Sequence, residues 1–148
     1  MENKTTLKIK KLDNCFKLPE YKSEFASGMD LYSANYDDIT LKPLERTLIP
    51  VGIKIELEKG YEAQIRARSG LSIKNGITLI NAVGTIDADY RGEICVGLVN
   101  LSNEEFVIKR GDRIAQMIIA PVIYPQIEVK DELSDTVRSS GGFGSTGV

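Results

Sequence analysis

The feature that most constrains this chain is a hydrophobic period of two. Val51, Ile53, Ile55 and Leu57 alternate with Gly52, Lys54 and Glu56, and Tyr61, Ala63 and Ile65 alternate with Glu62, Gln64 and Arg66. Leu7 and Ile9 alternate less regularly with Lys8 and Lys10, whereas Ile94–Val99 and the run from Ile114 to Ile123 are apolar on both faces. Alternation at 180° per residue puts one apolar face on a strand, and a β-branched run suits a strand covered on both sides. Glu58-Lys59-Gly60, Asn75-Gly76, Ser102-Asn103 and Arg110-Gly111-Asp112 supply turn chemistry between these runs. No long window has helical spacing, and one short helix is expected over Ser69–Lys74. The pattern predicts an all-β domain of many short strands, a barrel or jelly-roll type.

Composition narrows the chemistry. The chain has 148 residues and no histidine, which excludes Ser-His-Asp and Cys-His catalysis and histidine-ligated zinc. Nineteen basic and 21 acidic side chains leave a charge of -2, so a nucleic-acid scaffold is not expected. Cys15 and Cys95 are too few for a disulfide framework. The lysine-bearing N-terminal stretch is followed by no apolar segment, and no run reaches the ~18 residues that span a bilayer. The expectation is a soluble cytoplasmic protein with no membrane partner.

Five segments carry candidate chemistry. In Ser27–Ala34, Asp30 sits between apolar neighbours and needs partners, an arginine among them. Arg66–Leu71 places Arg68, Ser69 and Gly70 where a strand gives way to a helix, which reads either as a charged strand end or as a phosphate cradle. Asn81–Gly92 holds Asp87 and Asp89, on one face if the backbone is extended: either solvated acids in a turn, or a general base or cation ligand. Asn81 offers both a donor and an acceptor, the complement of a pyrimidine edge. Lys109–Met117 reads as a charged hairpin tip, except that Gln116 is a polar side chain inside an apolar strand. Beyond Arg138, four of the 13 glycines fall in the last eight residues, around Phe143. That stretch reads either as a frayed end or as a phosphate-wrapping loop whose aromatic ring stacks on a base.

In this order the five segments resemble the five motifs of the trimeric dUTP pyrophosphatase (dUTPase) family. The wording is closest at Gly84-Thr85-Ile86-Asp87-Ala88-Asp89-Tyr90-Arg91-Gly92 and Gly141-Gly142-Phe143-Gly144-Ser145-Thr146-Gly147, and Ala67 departs from the proline that many members carry there. The resemblance implies a jelly-roll-like β-barrel subunit over residues 1–137 and a flexible glycine-rich tail over 138–148 that closes over the active site. It implies a homotrimer with shared sites that hydrolyses dUTP to dUMP and pyrophosphate, limiting uracil in DNA and supplying dUMP for thymidylate synthesis.

By the same resemblance, Asp87 is the catalytic carboxylate that activates water. Asn81, Thr85, Ile86, Tyr90, Cys95 (through its backbone) and Phe143 contact uracil and deoxyribose. Arg68, Ser69, Gly70, Gln116, Arg138, Gly144, Ser145 and Thr146 contact phosphates, and Asp30 supports an arginine or a metal-bound water. The implied cofactor is Mg2+, held through phosphates and water with no direct protein ligand. The readings set against this one are a dCTP deaminase, a bifunctional deaminase/pyrophosphatase, and a nucleotide-sensing regulator on the same fold.

Overall fold

The computed structural model describes residues 5–142. Eleven strands and one helix follow in the order β1 (Lys8–Lys11), β2 (Met29–Tyr32), β3 (Ile39–Leu41), β4 (Arg46–Pro50), β5 (Ile53–Glu56), β6 (Tyr61–Arg66), α1 (Ser69–Asn75), β7 (Ile77–Leu79), β8 (Val83–Ile86), β9 (Cys95–Asn100), β10 (Phe106–Ile108) and β11 (Arg113–Pro121). The all-β, jelly-roll-like expectation holds.

The alternation works as a core-building device. Ile53 and Ile55 on β5, Ala63 and Ile65 on β6, and Val96 and Leu98 on β9 are all essentially buried. Together with Leu31, Leu41, Ile49, Ile77, Ile94, Ile108, Ile114 and Met117 they form one cluster that draws on every sheet. Burying side chains of this size is worth ~1.5–3 kcal/mol each before chain entropy is subtracted. Pairing is antiparallel throughout: a four-stranded sheet β2-β11-β6-β8, a three-stranded sheet β4-β9-β7, and two ribbons, β1-β5 and β3-β10.

Helix α1 runs one residue beyond the expected Lys74. It buries none of its side chains fully, and Leu71 alone packs against the core. Gly76 ends it at φ 68°, donating its N–H back to the carbonyls of Leu71 and Ser72. This left-handed cap strongly favours glycine, which is why Asn75-Gly76 reads as a turn. After Pro121 no further helix or strand occurs among the described residues.

Candidate functional site

Strand β11 builds one half of the site by breaking its own alternation. Its pairing with β2 shifts between Arg113 and Ala115, so that Arg113 lies opposite Tyr32 while Gln116 lies opposite Asp30. In a regular strand, positions 113 and 116 would point to opposite faces. The bulge resets the parity, and consecutive Ile114 and Ala115 are both buried. Arg113 and Gln116 therefore share a cleft of ≈ 250 Å³, walled also by Lys22, Asp30, Arg68, Ser69 and Gly70.

Asp30 anchors this cleft. One carboxylate oxygen accepts Arg68 Nε–H at 3.1 Å and the other accepts Arg113 Nη1–H at 3.1 Å. Arg68 also donates to the Arg113 carbonyl at 3.1 Å. The Asp30 side chain is 12% exposed, against 25% for Arg68 and 46% for Arg113. The carboxylate is thus inside and the guanidinium groups face outward, so two cations flank one buried anion and an excess of positive charge meets the solvent. Gln116 donates to the Ala67 carbonyl at 3.0 Å, which pins the strand end leading into α1. The first N–H groups of that helix have no partner within it, and the N-cap, Arg68, makes no side-chain cap bond. Arginine forks, amide donors and open backbone N–H groups in one concavity suit a polyanion.

The second half lies on the hairpin after β7. Ala82, at φ 60°, turns the chain into β8. There Thr85 pairs with Gln64 and Ile86 with Ala63. Asp87 follows the last strand residue, and the chain then turns, with Tyr90 N–H donating to the Asp87 carbonyl at 3.1 Å. The extended backbone that would align Asp87 with Asp89 is absent. Both nonetheless line a cleft of ≈ 760 Å³ with Thr85, Glu62 and Tyr61. Arg91 braces the turn by donating to the carbonyls of Ala88 (2.7 Å) and Tyr90 (3.0 Å). On the return leg, Glu93 accepts the Gly52 N–H and the Asn14 amide, both at 3.1 Å. Tyr90 folds back over Gly92 and donates its hydroxyl to the Glu93 carbonyl at 3.1 Å. Asn81, Thr85, Asp87 and Tyr90 are exposed, while Ile86 and Cys95 are half-buried. Burial, and secondarily the Glu93 charge, push the Cys95 thiol up, so it is neutral near pH 7 and a poor nucleophile.

The two halves do not meet within the chain. They share no lining residue. The pairing of β6 with β8 puts Val83 beside Arg66 and Ile86 beside Ala63, so Asp87 falls level with Glu62. The six residue steps from Glu62, through the end of β6 at Arg66, to Arg68 amount to about 20 Å of backbone if extended throughout. Arg138 lines neither cleft; it lies on the exposed C-terminal segment, its Nε bonded to the Gly141 carbonyl at 2.9 Å. Phe143, Gly144, Ser145 and Thr146 lie outside the described residues.

Three residues here escape sequence reasoning. Arg113 looks like an ordinary charge at a hairpin tip because the bulge that aims it sits in a uniformly apolar run. Arg91 braces the carbonyls of its own turn and Glu93 ties Asn14 and Gly52 to the return leg; neither contact leaves a pattern in the sequence, although Arg91 lies inside the third segment and Glu93 directly follows it.

The sequence model of the dUTPase family matches residues 14–147. The chain belongs to the dUTPase family. Deoxyuridine 5'-triphosphate nucleotidohydrolase of Finegoldia magna is 61% identical over 133 residues, covering 88% of this chain and 91% of that protein. The Rickettsia bellii protein of the same name is 58% identical over 147 residues, covering 97% of each. Among solved structures, the Staphylococcus bacteriophage 80alpha dUTPase with dUpNHpp superposes with a TM-score of 0.87 at 27% identity, covering 97% of this dUTPase-family chain and 99% of that one. A mutant dUTPase of S. aureus phage phi11, which coordinates a structural Mg(II) ion, shares the fold with a TM-score of 0.79 at 24% identity, covering 88% and 99%. No helix among the described residues is long and apolar enough to cross a membrane.

Proposed function

We propose that the chain hydrolyses dUTP to dUMP and pyrophosphate. Both half-sites occur on one sequence that is 58% identical over 147 residues to a protein named deoxyuridine 5'-triphosphate nucleotidohydrolase, and that conjunction carries the reading. Asp87 takes a proton from a water molecule whose oxygen bonds to the α-phosphorus. The bond from that phosphorus to the bridging oxygen breaks, and pyrophosphate leaves. Positioning and neutralisation of charge supply most of the rate in such a transfer.

Arg68, Ser69, Gly70 and Gln116 hold phosphate oxygens, and Asp30 fixes the Arg68 guanidinium for that task. Asn81, the Thr85–Ile86 strand end and the Cys95 backbone read the uracil edge, and Tyr90 packs on the deoxyribose. A site of fixed donors and acceptors rejects cytosine because the reversed pattern leaves buried groups unpaired. Residues 138–148 form a tail distinct from the domain over 1–137. It brings Arg138, Gly144, Ser145 and Thr146 to the phosphates and Phe143 to the base, excluding water as it closes.

Active sites are shared between subunits of a homotrimer. Asp87 and Arg68 line separate clefts of one chain, too far apart for a water activated at the first to attack a phosphate held at the second, so the two clefts work together when they come from different copies. The cofactor is Mg2+. Glu62, Asp87 and Asp89 offer hard oxygen donors along the hairpin cleft. This set fits an ion held by phosphate oxygens and water. When bound, Mg2+ supplies charge neutralisation across the phosphate chain. Two unpaired cysteines accord with a reducing, cytoplasmic setting.

The test is pyrophosphate release from dUTP, dTTP, dCTP and UTP with and without Mg2+, run in 18O-labelled water. Release from dUTP with the label in dUMP is expected, together with loss of turnover but retained binding in Asp87→Asn. Label in pyrophosphate, or ammonia from dCTP, overturns the reading.

A further inference from the structure

The cleft lined by Arg68 and Arg113 has a further cationic wall residue that none of the five motifs contains. Lys22 borders it beside Ala26, Gly28, Arg68 and Gln116. It comes from the segment before β2, which an antiparallel bridge between Glu20 and Asp30 ties to that strand; Asp30 N–H donates to the Glu20 carbonyl at 2.9 Å. The residue that anchors both arginines is therefore bonded through its backbone to the residue that holds Lys22.

The hold on Lys22 is a crowded one. A single oxygen of Glu20, Oε1, accepts from Lys17 Nζ at 2.7 Å, from Lys22 Nζ and from the Tyr32 hydroxyl. A carboxylate oxygen has two lone pairs, so three donors exceed its capacity. Lys17 and Tyr32 by themselves satisfy that oxygen. Lys22 can leave without stranding an unpaired anion, and its side chain, 46% exposed, already borders the cleft.

We propose that Lys22 is a phosphate-contacting residue, parked on Glu20 in the free protein and transferred to the polyphosphate chain when that chain enters the cleft. The inference rests on the nucleoside-triphosphate reading above and adds a residue to it. Glu20 is the parking group, a positioning residue that never touches substrate. Lys22 brings a third cation to a cleft in which Asp30 already offsets one of two arginine charges, and the gain is greatest at low ionic strength, where an exposed charge is least screened.

The experiment separates binding from turnover. Titration calorimetry with inorganic tripolyphosphate on the full chain reads the cleft without requiring hydrolysis. Lys22→Met is expected to weaken tripolyphosphate binding about two- to fivefold at low salt, an exposed-contact effect, and to flatten the salt dependence. Lys22→Arg is expected to restore both. Glu20→Gln, which releases Lys22, is expected to bind as tightly as wild type or more tightly. Wild-type affinity in Lys22→Met overturns the proposal, as does absence of tripolyphosphate binding by the wild type. Weakening in Glu20→Gln equal to that in Lys22→Met also overturns it, because the effect then belongs to the fold of the segment. Lys22-dependent binding in a protein that fails to release pyrophosphate from dUTP sustains the subsite and removes the hydrolase reading instead.

Discussion

Asp30 holds Arg68 through the guanidinium Nε at 3.1 Å, which leaves the two terminal nitrogens of that arginine for other partners. One of them donates to the Arg113 carbonyl. The ion pair orients Arg68 rather than consuming it, and its buried member is the acid. Residues 38 positions apart in sequence thus set the direction of one guanidinium fork.

Replacing Asp30 by Asn should cost both stability and function. The carboxylate is buried but both arginines reach solvent, so the loss is expected at about 1–3 kcal/mol, below the cost of breaking a fully buried pair. Chemical denaturation reads this directly. Arg68 loses its orientation, so kcat/KM for dUTP should fall at least about tenfold. An unchanged kcat/KM would show that Arg68 does not depend on Asp30.

Shared sites predict complementation. Asp87→Asn and Arg68→Ala should each be inactive alone. Refolded together, they should regain pyrophosphate release, because some mixed trimers contain a site with the wild-type Asp87 of one chain and the wild-type Arg68 of another. Assay of the co-refolded mixture against the unmixed proteins decides it. A mixture as inactive as its parents would place both residues of each site on one chain.

Tyr90 depends on the absence of a side chain at position 92. A β-carbon there would lie 2.1 Å from the Tyr90 hydroxyl oxygen, so Gly92→Ala must move the ring off the Glu93 carbonyl. If Tyr90 excludes a 2'-hydroxyl, the preference for dUTP over UTP should drop roughly tenfold, the scale on which packing discriminates. The ratio of kcat/KM values measures it. Tyr90→Phe, which keeps the ring, should retain most of the preference.

Glu20 should titrate far below the ordinary value of a glutamate. Hydrogen bonds from Lys17, Lys22 and Tyr32, in that order, hold its carboxyl at about 2 instead of 4.5. A depressed carboxyl pKa contributes stability that is complete above the unfolded value and is lost as pH falls through the folded one. The contribution of Glu20 is therefore expected intact above pH 4.5 and progressively lost between pH 4.5 and about 2. Carbon-detected NMR should give a midpoint near 2 for Glu20. The stability gap between wild type and Glu20→Gln should close across that window. A midpoint near 4.5 would contradict the three-donor arrangement.

Much of the architecture was legible beforehand. A period of two needs only local residues, because it states which side of a strand is apolar; Ile53, Ile55, Val96 and Leu98 are buried for that reason. The turn at Asn75-Gly76 was readable because a left-handed backbone selects glycine wherever it occurs. The motif around Asp87 stands out because its nine residues are consecutive.

What lay beyond the sequence is what depends on distant partners. Periodicity names a face but not a neighbour, so nothing in the chain foretold that β11 lies between β2 and β6. Nor did it announce the bulge that turns Arg113 and Gln116 to the same side, since a strand apolar on both faces hides a change of parity. The pairing of Asp30 with Arg113 spans 83 positions, and the gathering of Lys17, Lys22 and Tyr32 on one Glu20 oxygen follows from how the segment before β2 docks. Local composition determined the strands and the chemistry they carry. Only the closure of the sheets decided which of those groups face one another, because that choice is made by burial of a common core and not by any short stretch of chain.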